Sequence, residues 1–387
     1  MAATRSTGGR SAANRSGGDA ALEDASSDHR ASSDSDDASD AGSTSESLVV
    51  YVGSGFYTSP NAIVAFALNA TTGALTEIQR LASDPSPSFF ALHPSGKVLY
   101  ANLEATPTAA AAYAVDRSKG KLTKINQVAS GANGSAFLSV DMTGRWLFQA
   151  NYESQSVSII AIKPDGSLGA LSDTRAQGAM AYPHCVHVDP TNQFVFVPNR
   201  SADTISQYIF DVASGRLTPH FPSSVSSPSG TGPRHIAFHP NLKWVFVVDE
   251  TASSLTSYAF DSRAGTLTRR KSISSLPANA GASAPADIRL HPNGNFLYVA
   301  NRGHASVGTF AVDATSGTLS PIDFPSSGGK GPRNFALDPS GRFLVVGNLD
   351  SDNVQVFRVD PFTGKLMPVG TPVSVPKPSG ILVTNLR

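Results

Sequence analysis

Short runs of alternating apolar and polar residues, separated by turns rich in Gly and Pro, recur along most of this chain. The unit is clearest at 232–250, GPRHIAFHPNLKWVFVVDE. A Gly-Pro turn opens it, a second turn follows at His239-Pro240-Asn241, and an apolar run then ends on two acids. Alternation with a period of two residues is typical of β-strands that bury one face. The unit therefore predicts two strands joined by a turn.

The unit recurs about every fifty residues, a spacing that indicates a repeat architecture. The residue at the place of His239 falls at His93, Asp141, Asp189, His239, His291 and Asp338. After each unit come a second alternating strand, a turn of the type Asp-x-x-x-Gly and a short last strand. Each repeat is thus predicted to contain four strands.

The two ends of the repeat region carry complementary half-units. Outer halves occur seven times and complete inner halves six times, while 48–53 resembles a second strand without its first and 378–383 a first strand without its second. Together these segments make the seventh inner half, which an open solenoid would not need. We predict an all-β, seven-bladed β-propeller over 48–387, closed by pairing of the C-terminal and N-terminal half-blades.

Residues 1–47 have a different composition, dominated by Ser, Ala, Asp and Gly without aromatic residues or Ile. Such a segment cannot bury enough apolar surface to offset its ordering entropy, so we predict a disordered tail, or an artefact of a start codon assigned too early. No apolar segment typical of a secretory signal precedes Ser47, and no later stretch is long enough to span a membrane. We expect a cytoplasmic protein.

The composition of the chain argues against several classes of function. The formal net charge is zero and 16% of residues are charged, so we expect neither a nucleic-acid partner nor a membrane partner. The single cysteine, Cys185, excludes an intrachain disulfide framework and a thiolate-based zinc site. No cluster of His and carboxylate residues indicates another metal site, so no metal and no cofactor are predicted.

Charged residues are concentrated at one predicted mouth of the ring. In an antiparallel blade, the start of the first strand and the end of the second lie at the same face. Comparing the copies at these places gives His184, Arg200, Arg234, Glu250, Arg289, Arg302 and Arg333 in neighbouring blades, where other blades carry Ser, Ala or Leu. Two structural alternatives stay open. The arginines could form salt bridges between blades, and the recurring Asn or Asp at strand ends could cap the following turn. The recurring turn histidines are interpreted as turn caps.

Several of these segments resemble, in order, the β-propeller lactonase family: Pro183-His184-Cys185-Val186, Gly232-Pro233-Arg234-His235, Asp249-Glu250, Ile288-Arg289-Leu290, Asn301-Arg302-Gly303-His304 and Pro332-Arg333-Asn334-Phe335. The family includes propeller-type 6-phosphogluconolactonases and fungal carboxy-muconate cycloisomerases. The resemblance covers about 48–387 and implies that His184, Arg234 and Glu250 form the catalytic cluster. The chain departs from the family pattern at Asn199-Arg200-Ser201, where Asp-Leu-Gly is common, and at Asp249-Glu250, where Asn-Glu is common.

This set of residues suits hydrolysis of a lactone, which needs a positioned water, a base and stabilisation of an oxyanion. We predict His184 as the base, Arg234 as the oxyanion clamp and Glu250 as the residue that orients one of them. Predicted substrate contacts are Arg200, His235, Arg289, Asn301, Arg302, Arg333, Asn334 and Asn348. Of these, Arg289, Arg302 and Arg333 would bind a phosphate or carboxylate through forked hydrogen bonds.

The expected partner is a small anionic lactone, 6-phosphogluconolactone of the pentose phosphate pathway first, and the expected assembly is a monomer or weak homo-oligomer. Two alternatives stay open: a carboxy-muconate-type cycloisomerase that uses the same mouth, and a non-catalytic interaction propeller.

Overall fold

The computed structural model describes residues 47–83, 85–104 and 106–386. Within them the strands form seven four-stranded antiparallel sheets, which confirms the predicted seven-bladed propeller. The tail predicted over 1–47 lies, apart from Ser47, outside the described residues, so that division of the chain stays a prediction. No helix in the described part of the chain is long and apolar enough to cross a bilayer.

The strands and one short 3-10 helix have the following bounds. The first half of the ring contains β1 Leu48–Ser54, β2 Ala62–Leu68, β3 Leu75–Ala82, β4 Ser86–Leu92, β5 Val98–Glu104, β6 Ala109–Val115, β7 Leu122–Ala129, β8 Ser135–Val140, β9 Trp146–Asn151, β10 Ser156–Ile162, β11 Leu168–Ala176, β12 His187–Val188, β13 Phe194–Asn199, β14 Thr204–Asp211 and β15 Arg216–Ser226. The second half contains β16 Pro233–Phe238, β17 Trp244–Asp249, β18 Ser254–Asp261, β19 Thr266–Ser274, β20 Pro285–Leu290, β21 Phe296–Asn301, β22 Ser306–Val312, β23 Leu319–Asp323, β24 Pro332–Leu337, β25 Phe343–Asn348, the 3-10 helix Leu349–Ser351, β26 Asn353–Val359, β27 Leu366–Ser374 and β28 Ile381–Asn385.

The two ends of the ring close on each other in blade 1, which contains β28, β1, β2 and β3 in that order. Val52 pairs with Ile381 and Leu48 with Asn385. The main chain of Gly53 adds hydrogen bonds of 2.8 Å to Gly380 and 2.9 Å from Ser379. Blades 2 to 7 follow as β4–β7, β8–β11, β12–β15, β16–β19, β20–β23 and β24–β27. The predicted pairing of the terminal half-blades is therefore confirmed.

Burial falls from the inner to the outer strands of a blade. All seven residues of β1 are buried, whereas β3 at the outer edge of the same blade carries exposed polar side chains. An inner strand has a neighbouring blade on each face, so both sets of alternating side chains must be apolar. This is why the second strand of each repeat has a continuous apolar run instead of strict alternation.

Hydrogen bonds between blades come from aromatic residues of the second strands. In each case a Tyr hydroxyl or Trp indole N–H donates to a carbonyl in the third-to-fourth-strand turn of the next blade. The pairs are Tyr51 to Gly120 (2.9 Å), Tyr100 to Gly166 (2.9 Å), Trp146 to Val212 (2.9 Å), Trp244 to Ala314 (2.9 Å) and Tyr298 to Gly364 (3.0 Å). The polar tip of a buried aromatic residue needs such a partner, and each of these bonds joins one blade to the next.

The recurring turn histidines make a second set of bonds between blades. Nε2 of His239 donates to the Gly294 carbonyl at 3.1 Å, while its Nδ1 accepts the backbone N–H of Asn241. His93 and His291 make the equivalent pairs of bonds. The predicted turn capping is confirmed, and each ring also holds the following blade.

We predict that the glycine in the third-to-fourth-strand turn is required for stability. Gly317 has φ +68°, and a Cβ there would lie 2.4 Å from the Trp244 ring. Gly317→Ala should lower the free energy of unfolding by about 2–4 kcal/mol, the sum of a left-handed Ala and an overpacked contact, measured by urea or thermal unfolding.

The matched control is Gly281→Ala, since nothing lies within 4 Å of a Cβ at that exposed position. This variant should be as stable as the parent or slightly more stable. Equal stability of the two variants would contradict the required glycine.

Candidate active site

Two arginines reach the mouth of the ring because each occupies a β-bulge. In blade 5, Pro233 pairs with Asp249 and His235 with Val248, so Arg234 between them has no partner residue. In blade 7 the same shift between Pro332 and Asn334 leaves Arg333 unpaired. A bulge turns the extra side chain away from the regular alternation of the strand. Both guanidinium groups are thereby directed to the mouth.

His184 lies at the equivalent place in blade 4, where the first strand is regular only over His187–Val188. Its backbone N–H donates to the Pro198 carbonyl at 3.1 Å, which ties this irregular segment to β13. The imidazole is 8% exposed, and it lies between the rings of Tyr152 and His235 at centroid distances of 5.5 and 5.3 Å. Aromatic packing, and not an ion pair, therefore orients this ring.

A cavity of about 460 Å³ opens at the mouth beside His184 and Arg333. Its polar lining also includes Glu104, Glu153, Tyr57 and Tyr152. Burial, and then the positive charge of Arg234, lowers the pKa of His184 well below 6.5, while its Nδ1 is buried without a hydrogen-bond partner in the described chain. The cavity is thus lined by a neutral imidazole and by the guanidinium of Arg333.

A second, much smaller recess of about 10 Å³, which we call the throat, shares Glu104, Ala136 and Arg333 with the cavity and is also lined by Arg234, His235 and Asn334. The throat brings Arg234 and His235 close to the residues of the cavity. Four predicted site residues meet there, and His184 stands beside them in the cavity.

Glu250 is the shared counter-ion of three arginines. Its carboxylate lies 2.9 Å from Arg234 Nε, 3.2 Å from Arg200 Nε and 2.9 Å from Arg302 Nη2. Although burial raises it, the charges of Arg234, Arg302 and Arg200 lower the pKa of Glu250 to about 2. The carboxylate is therefore ionised throughout the neutral range.

This arrangement decides between the two predicted roles of Glu250. It lines a separate depression of about 570 Å³ with Arg200 and Arg302, not the cavity of His184. Arg234 is only 2% exposed, and burial lowers its pKa to about 9 despite the attraction of Glu250, so it stays cationic at neutral pH. Glu250 holds Arg234 and does not orient His184.

A buried carboxylate, Asp287, holds the other side of Arg234 through His235. Nδ1 of His235 donates to Asp287 Oδ1 at 2.9 Å, which leaves Nε2 to accept from Arg234 Nη1 at 3.2 Å. Asn334 donates to the second oxygen of Asp287 at 2.6 Å. Burial, and then the charge of Arg234, lowers the pKa of His235 to about 4, so this ring is neutral as its two bonds require.

Five predicted substrate contacts line neither the cavity nor the throat: Arg200, Arg289, Asn301, Arg302 and Asn348. Arg289 bonds to Asp287 at 3.2 Å and lines a pocket of about 320 Å³ with Pro292 and Pro339, which belong to turns at the opposite face. It therefore cannot form one anion clamp with Arg302 and Arg333, which themselves line different recesses.

The side chains of Asn301 and Asn348 are fully buried and donate hydrogen bonds to backbone carbonyls. The Asn301 amide donates to the Ser275 carbonyl at 2.9 Å, and the Asn348 amide to the Ser327 carbonyl at 2.9 Å. Across the turn that follows each strand, the Asn301 amide also donates to Ser306 Oγ at 3.4 Å and the Asn348 amide to Asn353 Oδ1 at 2.8 Å, as the turn-capping alternative expects.

Sequence reasoning missed Glu104, which lines both the cavity and the throat. A signal was present, because Glu104 is the tenth residue after Pro94, as Glu250 is the tenth after Pro240. Asp287 had no such signal: other blades carry Phe, Cys, His, Asn or Gly at its place, and its importance arises from contacts with three other residues.

The chain matches the family model described as "Lactonase, 7-bladed beta-propeller" over residues 49–383. The chain belongs to the seven-bladed β-propeller lactonase family. Among curated relatives of this lactonase-family chain are proteins named 6-phosphogluconolactonase from Serratia proteamaculans, 31% identical over 188 residues, and from Yersinia pestis, 32% identical over 189 residues. These matches cover 48% and 47% of this chain, and 56% and 54% of the relatives. The chain thus spans about half the length of the curated relatives it matches.

Two solved structures are similar to this chain over almost their whole length. The periplasmic gluconolactonase of Pseudomonas aeruginosa superposes with a TM-score of 0.82 at 29% identity, over 88% of this chain and 100% of that one. A protein from Lactobacillus plantarum superposes with a TM-score of 0.80 at 28% identity, over 87% and 99%.

We predict that the charge of Glu250 stabilises this lactonase-family fold in a pH-dependent way. Its folded-state pKa of about 2 lies below the usual 4.5, so the stabilisation is complete above pH 4.5 and is lost as pH falls toward 2. Glu250→Gln should lower the free energy of unfolding by about 3 kcal/mol at pH 7 and by roughly half as much at pH 3.

Urea unfolding at both pH values measures this difference. The control is Glu77→Gln, because Glu77 is exposed and forms a surface ion pair with Arg80 at 2.7 Å; it should change stability by less than about 1 kcal/mol. An equal loss for Glu250→Gln at pH 7 and pH 3 would show that packing, not charge, is responsible.

Proposed function

We propose that this protein hydrolyses a sugar δ-lactone, with 6-phosphogluconolactone as the foremost substrate. The observation that supports this most is the cavity in which the neutral His184 imidazole and the Arg333 guanidinium face the same space, with Arg234 at the throat. A neutral base can activate the attacking water, and a fixed cation can stabilise the oxyanion that develops on the ester carbonyl.

In the proposed reaction His184 accepts a proton from water as the water attacks the lactone carbonyl. Arg234 stabilises the oxyanion that develops, and its position is set by Glu250 on one side and by His235 with Asp287 on the other. A donor that is already fixed needs no reorganisation during the reaction. Arg333 binds the anionic group of the substrate.

The names of the relatives support lactone hydrolysis and leave the phosphate as the point to test. The curated relatives are named 6-phosphogluconolactonase, whereas the Pseudomonas aeruginosa protein is named a periplasmic gluconolactonase. A phosphorylated substrate accords with the cytoplasmic location expected from the sequence, which is part of this proposal. A monomer or weak homo-oligomer remains the prediction for the assembly.

The first test of this proposal is His184→Ala. Removal of a general base should lower kcat by about two to four orders of magnitude, measured by pH-stat with 6-phosphogluconolactone and gluconolactone. Because the pKa of His184 lies well below 6.5, protonation should abolish the parent activity only at a more acidic pH than an ordinary histidine would give.

The matched control is His220→Ala, since His220 lies on the outer strand β15 against Phe194. It should keep parental activity. A folded His184→Ala protein that turns over lactones within a few-fold of the parent would place the base elsewhere.

The second test concerns the phosphate. If Arg333 binds it, Arg333→Ala should raise KM for 6-phosphogluconolactone roughly 30-fold, as loss of about 2 kcal/mol implies, and raise KM for gluconolactone much less. The exposed Arg263→Ala in the β18–β19 turn should leave both constants unchanged. Equal losses on both substrates would mean that Arg333 is structural, through its stacking on Phe56 at 4.5 Å.

A further inference from the structure

Glu104 occupies the junction between the cavity and the throat. It is the last residue of β5, and it lines both spaces, as do Ala136 and Arg333. No other carboxylate of the described chain lines both. The cavity also contains His184, and the throat contains Arg234. Glu104 therefore borders both the space that contains the proposed base and the recess that contains the proposed oxyanion clamp.

The two glutamates at equivalent strand ends have opposite environments. Glu250 makes three ion pairs, whereas Glu104 makes none among the described residues. The groups that face Glu104 are Arg333, Glu153, Tyr57 and Ser88, with His184 in the same cavity and Arg234 and His235 in the throat.

Burial is the largest influence on Glu104 and raises its pKa to about 7, against the opposing effects of Arg333 and of the Ser88 and Tyr57 hydroxyls. A substantial fraction of this carboxyl is therefore protonated at neutral pH, so it can act as a proton donor. His184 is shifted in the opposite direction and stays neutral, so it can act as a proton acceptor. Two titratable groups whose environments separate their pKa values in this way commonly divide the acid and base roles.

We propose that Glu104 is the general acid of the site and protonates the ring oxygen as the lactone opens; this rests on the lactonase function proposed above. Hydrolysis of a sugar lactone needs two proton transfers. His184 takes a proton from water while the new carbon–oxygen bond forms. When the bond from the carbonyl carbon to the ring oxygen breaks, the Glu104 proton passes to that oxygen and gives the product hydroxyl. The proton on His184 then returns to the Glu104 carboxylate through solvent, so no other reactant is needed.

The first experiment compares the parent, Glu104→Gln, Glu104→Asp and the exposed control Glu77→Gln by pH-stat with gluconolactone from pH 5 to pH 8. The acid must be protonated, so the parent kcat should fall as pH rises through about 7. Glu104→Gln should lose roughly 10²- to 10⁴-fold in kcat at pH 6 and should lack this alkaline fall. Glu104→Asp, which keeps the carboxyl, should recover part of the activity, and Glu77→Gln should match the parent.

The second experiment changes the leaving group. In an aryl lactone such as dihydrocoumarin the leaving group is a phenolate. The corresponding phenol has a pKa of about 10, so this leaving group needs far less protonation than an alkoxide does. Glu104→Gln should therefore lose much less activity on this lactone than on gluconolactone, whereas His184→Ala should lose heavily on both.

The outcomes separate this proposal from the proposed function. A parent that hydrolyses no lactone would overturn both. An active parent with Glu104→Gln within a few-fold of it, or with equal losses on the two lactones, would overturn only the role of Glu104. If Glu104→Gln fails to fold, Glu104→Asp decides, because a folded and active Glu104→Asp whose alkaline fall stays at the parental pH would exclude a proton donated by this carboxyl.

Discussion

Each blade depends on a turn in the next blade that has no room for a side chain. The third-to-fourth-strand turns contain glycines with φ between +67° and +82°, each of which would place a Cβ within 2.8 Å of the preceding blade: Gly73, Gly120, Gly166, Gly215, Gly265, Gly317 and Gly364. These contacts go round the whole ring, because Gly73 of blade 1 meets Val369 and Phe343 of blade 7. Each glycine lets its turn approach the preceding blade closely, and five of these turns also accept a hydrogen bond from a Tyr or Trp of that blade.

The same constraint separates stability from chemistry. The glycine turns and the histidine-capped turns both lie at the face where first strands end and third strands end. The opposite face contains the starts of first strands and the ends of second strands, where this glycine turn does not recur from blade to blade. Side chains there can differ between blades without opening the ring. His184, Arg234, Arg333 and Glu104 all occupy this freer face, and the bulges at Arg234 and Arg333 direct two of them.

The sequence predicts the fold well because each position can be compared with the equivalent positions of the six other repeats. The blade number, the closure and the turn histidines follow from that comparison. The site follows less completely, because a repeat shows where a side chain begins and not which neighbour it meets. Arg289 and Arg333 are both predicted substrate contacts on first strands, yet Arg289 is held by Asp287 away from the cavity and Arg333 lines it. Glu104 had the register of Glu250, but only the structure shows that arginines surround one and not the other.

That contrast explains how one scaffold position can serve two purposes. Burying an unpaired carboxylate costs free energy, so a buried glutamate at a strand end must either form ion pairs with cations or keep its proton. Glu250 gains Arg200, Arg234 and Arg302, stays ionised and fixes the guanidinium that we propose for the oxyanion. Glu104 faces Arg333 without an ion pair, so burial prevails and its proton is retained near neutral pH. The same residue type at the same register thus supplies a fixed negative charge in blade 5 and a transferable proton in blade 2, and the neighbouring arginines determine which.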